Sequence, residues 1–224
     1  GRAQSVWKPL SLETLQFMEA KDTPFYPTFD PIGSLLISAA VQPKQSRSIK
    51  MLIGYAKSKT LALELIDKYL KPQIIQKTSA SFIGKKKSIL IGHGDILSGT
   101  PQPYADYSND GNTLLVHTPY TPRPYDHAMS NPVHSVMVTN RGLHTSCNGN
   151  SQQNRLTPDW PDMVSQEIPS EAIYLYDQIN HDWYCPTYHP LNSTIAKYES
   201  EFSVDGTAIF RMTDRTISPE LTVF

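Results

Sequence analysis

The side chains able to do chemistry are seven histidines, two cysteines and a scatter of loop carboxylates. His117, His127, His134 and His144 have neither the four-residue helical spacing nor the cysteine pairing that zinc motifs use. They read as structural or surface imidazoles, and no metal or cofactor is expected. Cys147 is followed by Asn148-Gly149-Asn150-Ser151, with no sequence-local base to activate it, so it reads as a buried thiol. Cys147 and Cys185 are too few for a disulfide scaffold; reduced thiols are the default, with one bridge left open. Gly92-His93-Gly94 lacks the third glycine and the strand-to-helix setting of a nucleotide loop. The carboxylates Asp159, Asp162, Glu167, Glu171, Asp177 and Asp182 all fall in loops. Glycoside chemistry places its acid and second carboxylate across a bond in space, so chain spacing selects none of these as catalytic. One polar segment stands apart: Gly149-Asn150-Ser151-Gln152-Gln153-Asn154-Arg155, leading into Leu156-Thr157-Pro158-Asp159-Trp160. Amides, an arginine and an indole suit hydroxyl hydrogen bonds and stacking on sugar C–H faces. The alternative is a loop held together by its own amides.

Such groups need elements to position them. With 224 residues the chain is long enough for one sizeable domain or two small ones. Its 18 prolines against 11 glycines point to ordered turns between short strands. Residues 34–41 form an apolar run, and in 46–55 Ile49, Met51, Ile53 and Tyr55 alternate with Ser48, Lys50, Leu52 and Gly54, predicting a hairpin with Pro43 in its turn. The period then becomes helical over 58–70, where Leu61, Leu65 and Tyr69 share a stripe, Ser58 caps the start and Pro72 stops the end. A weaker helix is predicted over 11–20. Residues 72–105 read as a connection in which Lys85-Lys86-Lys87 guard an edge strand or form a solvated turn.

Thereafter strand signals dominate: 113–117 after the turn Asn109-Asp110-Gly111-Asn112, then 133–139, 171–176, 198–204 and 207–212. Asp205-Gly206 predicts a two-residue hairpin turn between the last pair. No βαβα alternation is present, so the fold class is mainly β: an antiparallel sandwich with one or two short helices.

Charge narrows the partners. Lys plus Arg is 20 and Asp plus Glu 21, a net charge of −1, which argues against nucleic acid and anionic lipid. The apolar stretches fall far short of the roughly 20 residues that cross a bilayer. The start, Gly1-Arg2-Ala3-Gln4-Ser5, shows no secretory signal, so a soluble piece is expected.

Several ordered stretches resemble the opening of the N-terminal β-sandwich of glycoside hydrolase family 94. They are Asn131-Pro132 to Val138, Gly142, Gly149-Asn150-Ser151, Asn154-Arg155-Leu156-Thr157-Pro158, Glu171-Ala172-Ile173-Tyr174-Leu175 and Glu220-Leu221-Thr222-Val223-Phe224. Upstream, Asp30-Pro31-Ile32-Gly33-Ser34-Leu35, Leu52-Ile53-Gly54-Tyr55-Ala56-Lys57-Ser58 and Leu65-Ile66-Asp67-Lys68-Tyr69 resemble the closing portion of a related sandwich. An ending before a beginning implies tandem units, with 1–71 closing the first, 72–105 linking, and 106–224 opening the second.

The resemblance implies a supersandwich of the galactose-mutarotase type. It also implies a parent chain that builds β-glucan from UDP-glucose and trims it by phosphorolysis, anchored in a bacterial inner membrane with this region cytoplasmic. The family's catalytic Asp belongs to an (α/α)6 barrel outside these residues, so no catalytic residue carries over. In related phosphorylases the loop matching residues 150–160 lies near the substrate channel, which makes Asn154, Arg155 and Trp160 the expected sugar contacts. The partners implied are β-glucan and the other domains of the parent chain. A β-1,2-oligoglucan phosphorylase and a free-standing carbohydrate-binding module are the alternatives. An excerpt of this kind is expected to expose unpaired strand edges and to self-associate.

Overall fold

The computed structural model of the chain describes residues 35–54, 56–70, 87–88, 104–150, 171–192, 197–213 and 217–224. The chain divides into two units, Gly1–Gln76 and Lys77–Phe224.

In the first unit the predicted turn forms but its strands do not. Gln45 N–H donates to the Gln42 carbonyl at 3.0 Å, and Lys44 takes a positive φ of 63°. Residues 35–54 contain no strand, and every one of them is exposed. Alternation stabilises a strand only when one face is buried against a second layer. Here Ile49, Met51 and Ile53 keep 52%, 50% and 46% of their surface in water, so the pattern has nothing to act on. The helix α1 (Lys59–Leu70) forms where its local signals put it. Ser58 Oγ accepts from Leu61 N–H at 3.2 Å, and the Ser58 carbonyl takes the first helical bond from Ala62. Lys68 in the last turn complements the helix dipole. No α1 residue is buried. The predicted helix over 11–20 lies outside the described residues.

The second unit is antiparallel throughout its described strands: β1 (Lys87–Ser88), β2 (Ala105–Tyr107), β3 (Thr113–Val116), β4 (Asp126–Ser130), β5 (Ser135–Thr139), β6 (Gly142–Cys147), β7 (Leu175–Asp177), β8 (Asp182–Tyr184), β9 (Lys197–Ser203), β10 (Thr207–Thr213) and β11 (Glu220–Val223). Six strands pair in the order β1-β2-β3-β9-β10-β11. The three-stranded sheet β4-β5-β6 and the hairpin β7-β8 are excursions between β3 and β9, which pair directly through Leu114↔Phe202 and Val116↔Ser200.

Period-two burial explains the large sheet. Along β9, Tyr198, Ser200 and Phe202 are buried while Glu199 and Glu201 are not; along β10, Ala208, Phe210 and Met212 alternate with Ile209 and Arg211 in the same way. Met129 and Val138 from the smaller sheet and Tyr184 from the hairpin close over this face. The two sheets meet where His127 stacks on Phe202, ring centroids 5.2 Å apart and planes within 10°. Ser200 is fully buried in this core, and its hydroxyl has no hydrogen-bond partner among the described residues. On the opposite face, Arg211 bonds Glu201 at 2.7 Å and Glu220 at 3.0 Å, tying β10 to both neighbours.

The β9–β10 connection corrects the two-residue turn. Ser203 pairs with Thr207, so the loop is the three residues Val204-Asp205-Gly206, with only Gly206 at positive φ (82°). Gly206 N–H returns to the Ser203 carbonyl at 3.1 Å. This is the turn-plus-left-handed-glycine loop, which needs one glycine rather than two positive-φ positions.

Candidate functional site

Asn154, Arg155 and Trp160 lie outside the described residues, as do Asp159, Asp162 and Glu167. The flanks of the segment that carries them are described. After β6 the chain turns at Gly149 (φ 70°), with Asn150 N–H on the Asn148 carbonyl at 2.7 Å. On the far flank, Glu171 Oε1 accepts from the hydroxyl of buried Ser146 at 3.0 Å. That bond brings the chain back to β6 and sets a carboxyl at the base of the segment. Burial raises the Glu171 pKa, and the Ser146 hydroxyl and His134 only partly oppose it.

Next along the chain is the β7–β8 hairpin, whose two faces differ. Leu175 and Tyr184 pair across the strands and face the core. The alternate positions Tyr174, Tyr176 and Trp183 are half-buried. Tyr176 lies 4.6 Å from Trp183 between ring centroids, tilted by 35°, and Tyr174 meets the same indole edge-on at 6.1 Å. The Tyr176 hydroxyl and His181 Nδ1 are 2.8 Å apart. Burial, with the Cys185 thiol adding to it, pushes the Tyr174 phenol well above its ordinary range. The hairpin tip is held by Asp177: Oδ1 accepts from the Ile179 and Asn180 amides, and Oδ2 from the Asn180 carboxamide at 2.7 Å. Those bonds, the Asn180 carboxamide foremost, hold the Asp177 carboxyl below its usual value. Sequence spacing alone does not bring these three rings together. The signal for the cluster was the Tyr174-Leu175-Tyr176 alternation, which puts both phenols on one face of a strand once a strand is assigned there.

The remaining candidates are distributed rather than convergent. His117 Nε2–H donates to Asp106 Oδ2 at 2.9 Å, and the second Asp106 oxygen is buried without a partner among the described residues. His189 Nδ1–H donates to Asn192 at 2.6 Å. Burial lowers the His127 pKa, with Asp205 opposing. Among the described residues no three His, Cys, Asp or Glu side chains gather as a metal-binding group. Cys147 and Cys185 are buried and free. Burial raises the Cys185 thiol, which lies 3.2 Å from the His189 carbonyl.

A polar corner fixes the loop ahead of β4. Fully buried Asn140 accepts from Tyr125 N–H at 2.8 Å and donates to the Thr118 carbonyl and the Thr121 hydroxyl at 3.1 and 3.2 Å. Arg141 donates to the carbonyls of Pro119 and Thr121 at 3.0 and 2.7 Å. Gly142, at φ 154°, packs so closely that a Cβ there would sit 3.3 Å from the Thr187 hydroxyl.

Two packed antiparallel layers with the hairpin closing one side of their core define a β-sandwich. Residues 112–224, just over half of the chain, match the glycosyl hydrolase 94 supersandwich domain, and the chain belongs to that family. No curated protein matches it. Among the described residues no helix is long and apolar enough to cross a membrane.

Proposed function

We infer that this chain is a sandwich segment of a cyclic β-1,2-glucan synthase, supporting a glucan-processing barrel elsewhere in a longer polypeptide and contacting the glucan through Asn154, Arg155 and Trp160. In this reading residues 1–71 close one sandwich unit, 72–105 link, and 106–224 open the next. The partners are β-glucan and the other domains of the parent chain. The supporting observation is the family 94 supersandwich match over 112–224, preceded by motifs at 30–58 and 65–69 that resemble the end of such a sandwich. A β-1,2-oligoglucan phosphorylase shares the sandwich and is the second reading; flanking sequence that encodes transmembrane spans and a sugar-nucleotide transferase separates the two.

Isothermal titration with linear and cyclic β-1,2-glucans tests the glycan contact. Saturable heat that is lost in Arg155→Ala and Trp160→Ala supports it, and no heat at millimolar ligand refutes it. Light scattering addresses self-association: a stable monomer across the accessible concentration range counts against the excerpt reading.

A further inference from the structure

We propose that the half-buried ring cluster of the β7–β8 hairpin, Tyr174, Tyr176 and Trp183 with His181 at its rim, is a second carbohydrate contact, taking a pyranose unit of a β-glucan chain. The proposal rests on the glucan-handling reading above and places a new site within it.

Leu175 and Tyr184 already anchor the hairpin to the core. Tyr174, Tyr176 and Trp183 belong neither to that buried cluster nor to its packed fringe, yet they sit together on the opposite face. Three large aromatic side chains held half-buried on a short hairpin bring rigid apolar area at low entropic cost, because each ring has two χ angles and its neighbours already fix them. Ring planes at 35° and 86° to one indole make an angular surface rather than a flat stack.

At its edge the Tyr176 hydroxyl and His181 Nδ1, 2.8 Å apart, form a polar pair able to meet a sugar hydroxyl. Aromatic faces with a few oriented polar groups at the edge are the composition of a small-ligand contact. A pyranose offers the complement, with C–H bonds on one face and hydroxyls at the periphery. The glucan-handling reading above selects this occupant over other amphipathic molecules.

Selective tryptophan oxidation by limiting N-bromosuccinimide, read by mass spectrometry on the full unmodified chain, tests the site with and without linear β-1,2-glucooligosaccharides. Of the three tryptophans, Trp160 reports the loop contact and Trp183 the hairpin. Saturable protection of Trp183 of at least threefold is expected, and Tyr176→Ala should weaken it about tenfold while Tyr176→Phe, which keeps the ring, retains it. An unchanged circular dichroism melt for Tyr176→Ala separates lost contact from lost fold; if that variant melts early, the Phe variant and the wild-type protection decide alone. Protection of Trp160 without Trp183 overturns the hairpin site and leaves the glucan reading standing. Heat of binding without protection of either tryptophan also overturns the hairpin site. No heat and no protection with any β-glucan overturns both. Protection that follows protein concentration instead of sugar assigns the rings to a second copy and refutes the proposal.

Discussion

Asn140→Ala removes three side-chain hydrogen bonds from a residue with no solvent exposure: those to Tyr125 N–H, the Thr118 carbonyl and the Thr121 hydroxyl. At about 1 kcal/mol net for each, the loss is about 3 kcal/mol. Leaving Tyr125 N–H without its acceptor adds a desolvation term, so the expected cost is about 3 to 4 kcal/mol. Arg141 holds the same 119–121 stretch, and both residues bond Thr121. The double variant with Arg141→Ala should therefore fall short of additivity by about 0.5 kcal/mol or more. Urea unfolding followed by circular dichroism gives both numbers, with an unchanged m value showing that the denatured state is the same. A loss below about 1 kcal/mol for Asn140→Ala, or strict additivity with Arg141→Ala, refutes the idea that this corner is a cooperative brace.

Four further expectations follow from the core and its titrating groups. Ser200→Ala, which deletes a buried hydroxyl without a partner among the described residues, should leave stability unchanged or raise it by about 1 kcal/mol; a clear loss in urea midpoint contradicts the reading. Gly142→Ala should cost about 1 to 3 kcal/mol, because it combines a positive φ with a methyl pressed on Thr187, and a near-neutral result in the same assay argues otherwise. His127 is held below the ordinary imidazole value of 6.5, so the unfolded state takes up protons first as pH falls through that value. Its contribution therefore makes stability drop on acidification, and His127→Gln should flatten the pH profile below 6.5. Glu171 is raised above 4.5, so the folded state keeps its proton to higher pH and its contribution is lost as pH rises through the raised value. Glu171→Gln should thus lessen the stability lost between pH 4.5 and 7, as urea midpoints across that range will report.

The parts of the fold that could be read in advance are those whose signals are local. Ser58 and the Leu61-Leu65-Tyr69 stripe located α1, and the alternation of β9 and β10 predicted both strands and their pairing. The turn between them differs from the expected two-residue form because Asp-Gly is compatible with both loop lengths, and the register decides between them. The hairpin expected over 34–55 failed for the reverse reason: its pattern is real, but a pattern stabilises strands only where a second layer covers it. Strands β4 (Asp126–Ser130) and β6 (Gly142–Cys147) are made by pairing with β5, and their polar residues hid them. The 171–176 strand shrank to β7 because β8 supplies partners only for Leu175, Tyr176 and Asp177. At the site, Tyr174 and Tyr176 were legible as one face, but bringing Trp183 beside them required the hairpin register.

The guanidinium of Arg211 spans three successive strands, and its two arms meet different surroundings. Glu201 retains 19% of its side-chain surface in solvent and Glu220 retains 50%, so dissolved ions reach the outer arm far more readily. Rising ionic strength should release the margin at Glu220 first and leave the Glu201 seam shut. Amide exchange would then speed up along Ala208 to Arg211 where they ladder with the last strand, while the β9 ladder keeps its protection. The sheet is built to unzip from one hem.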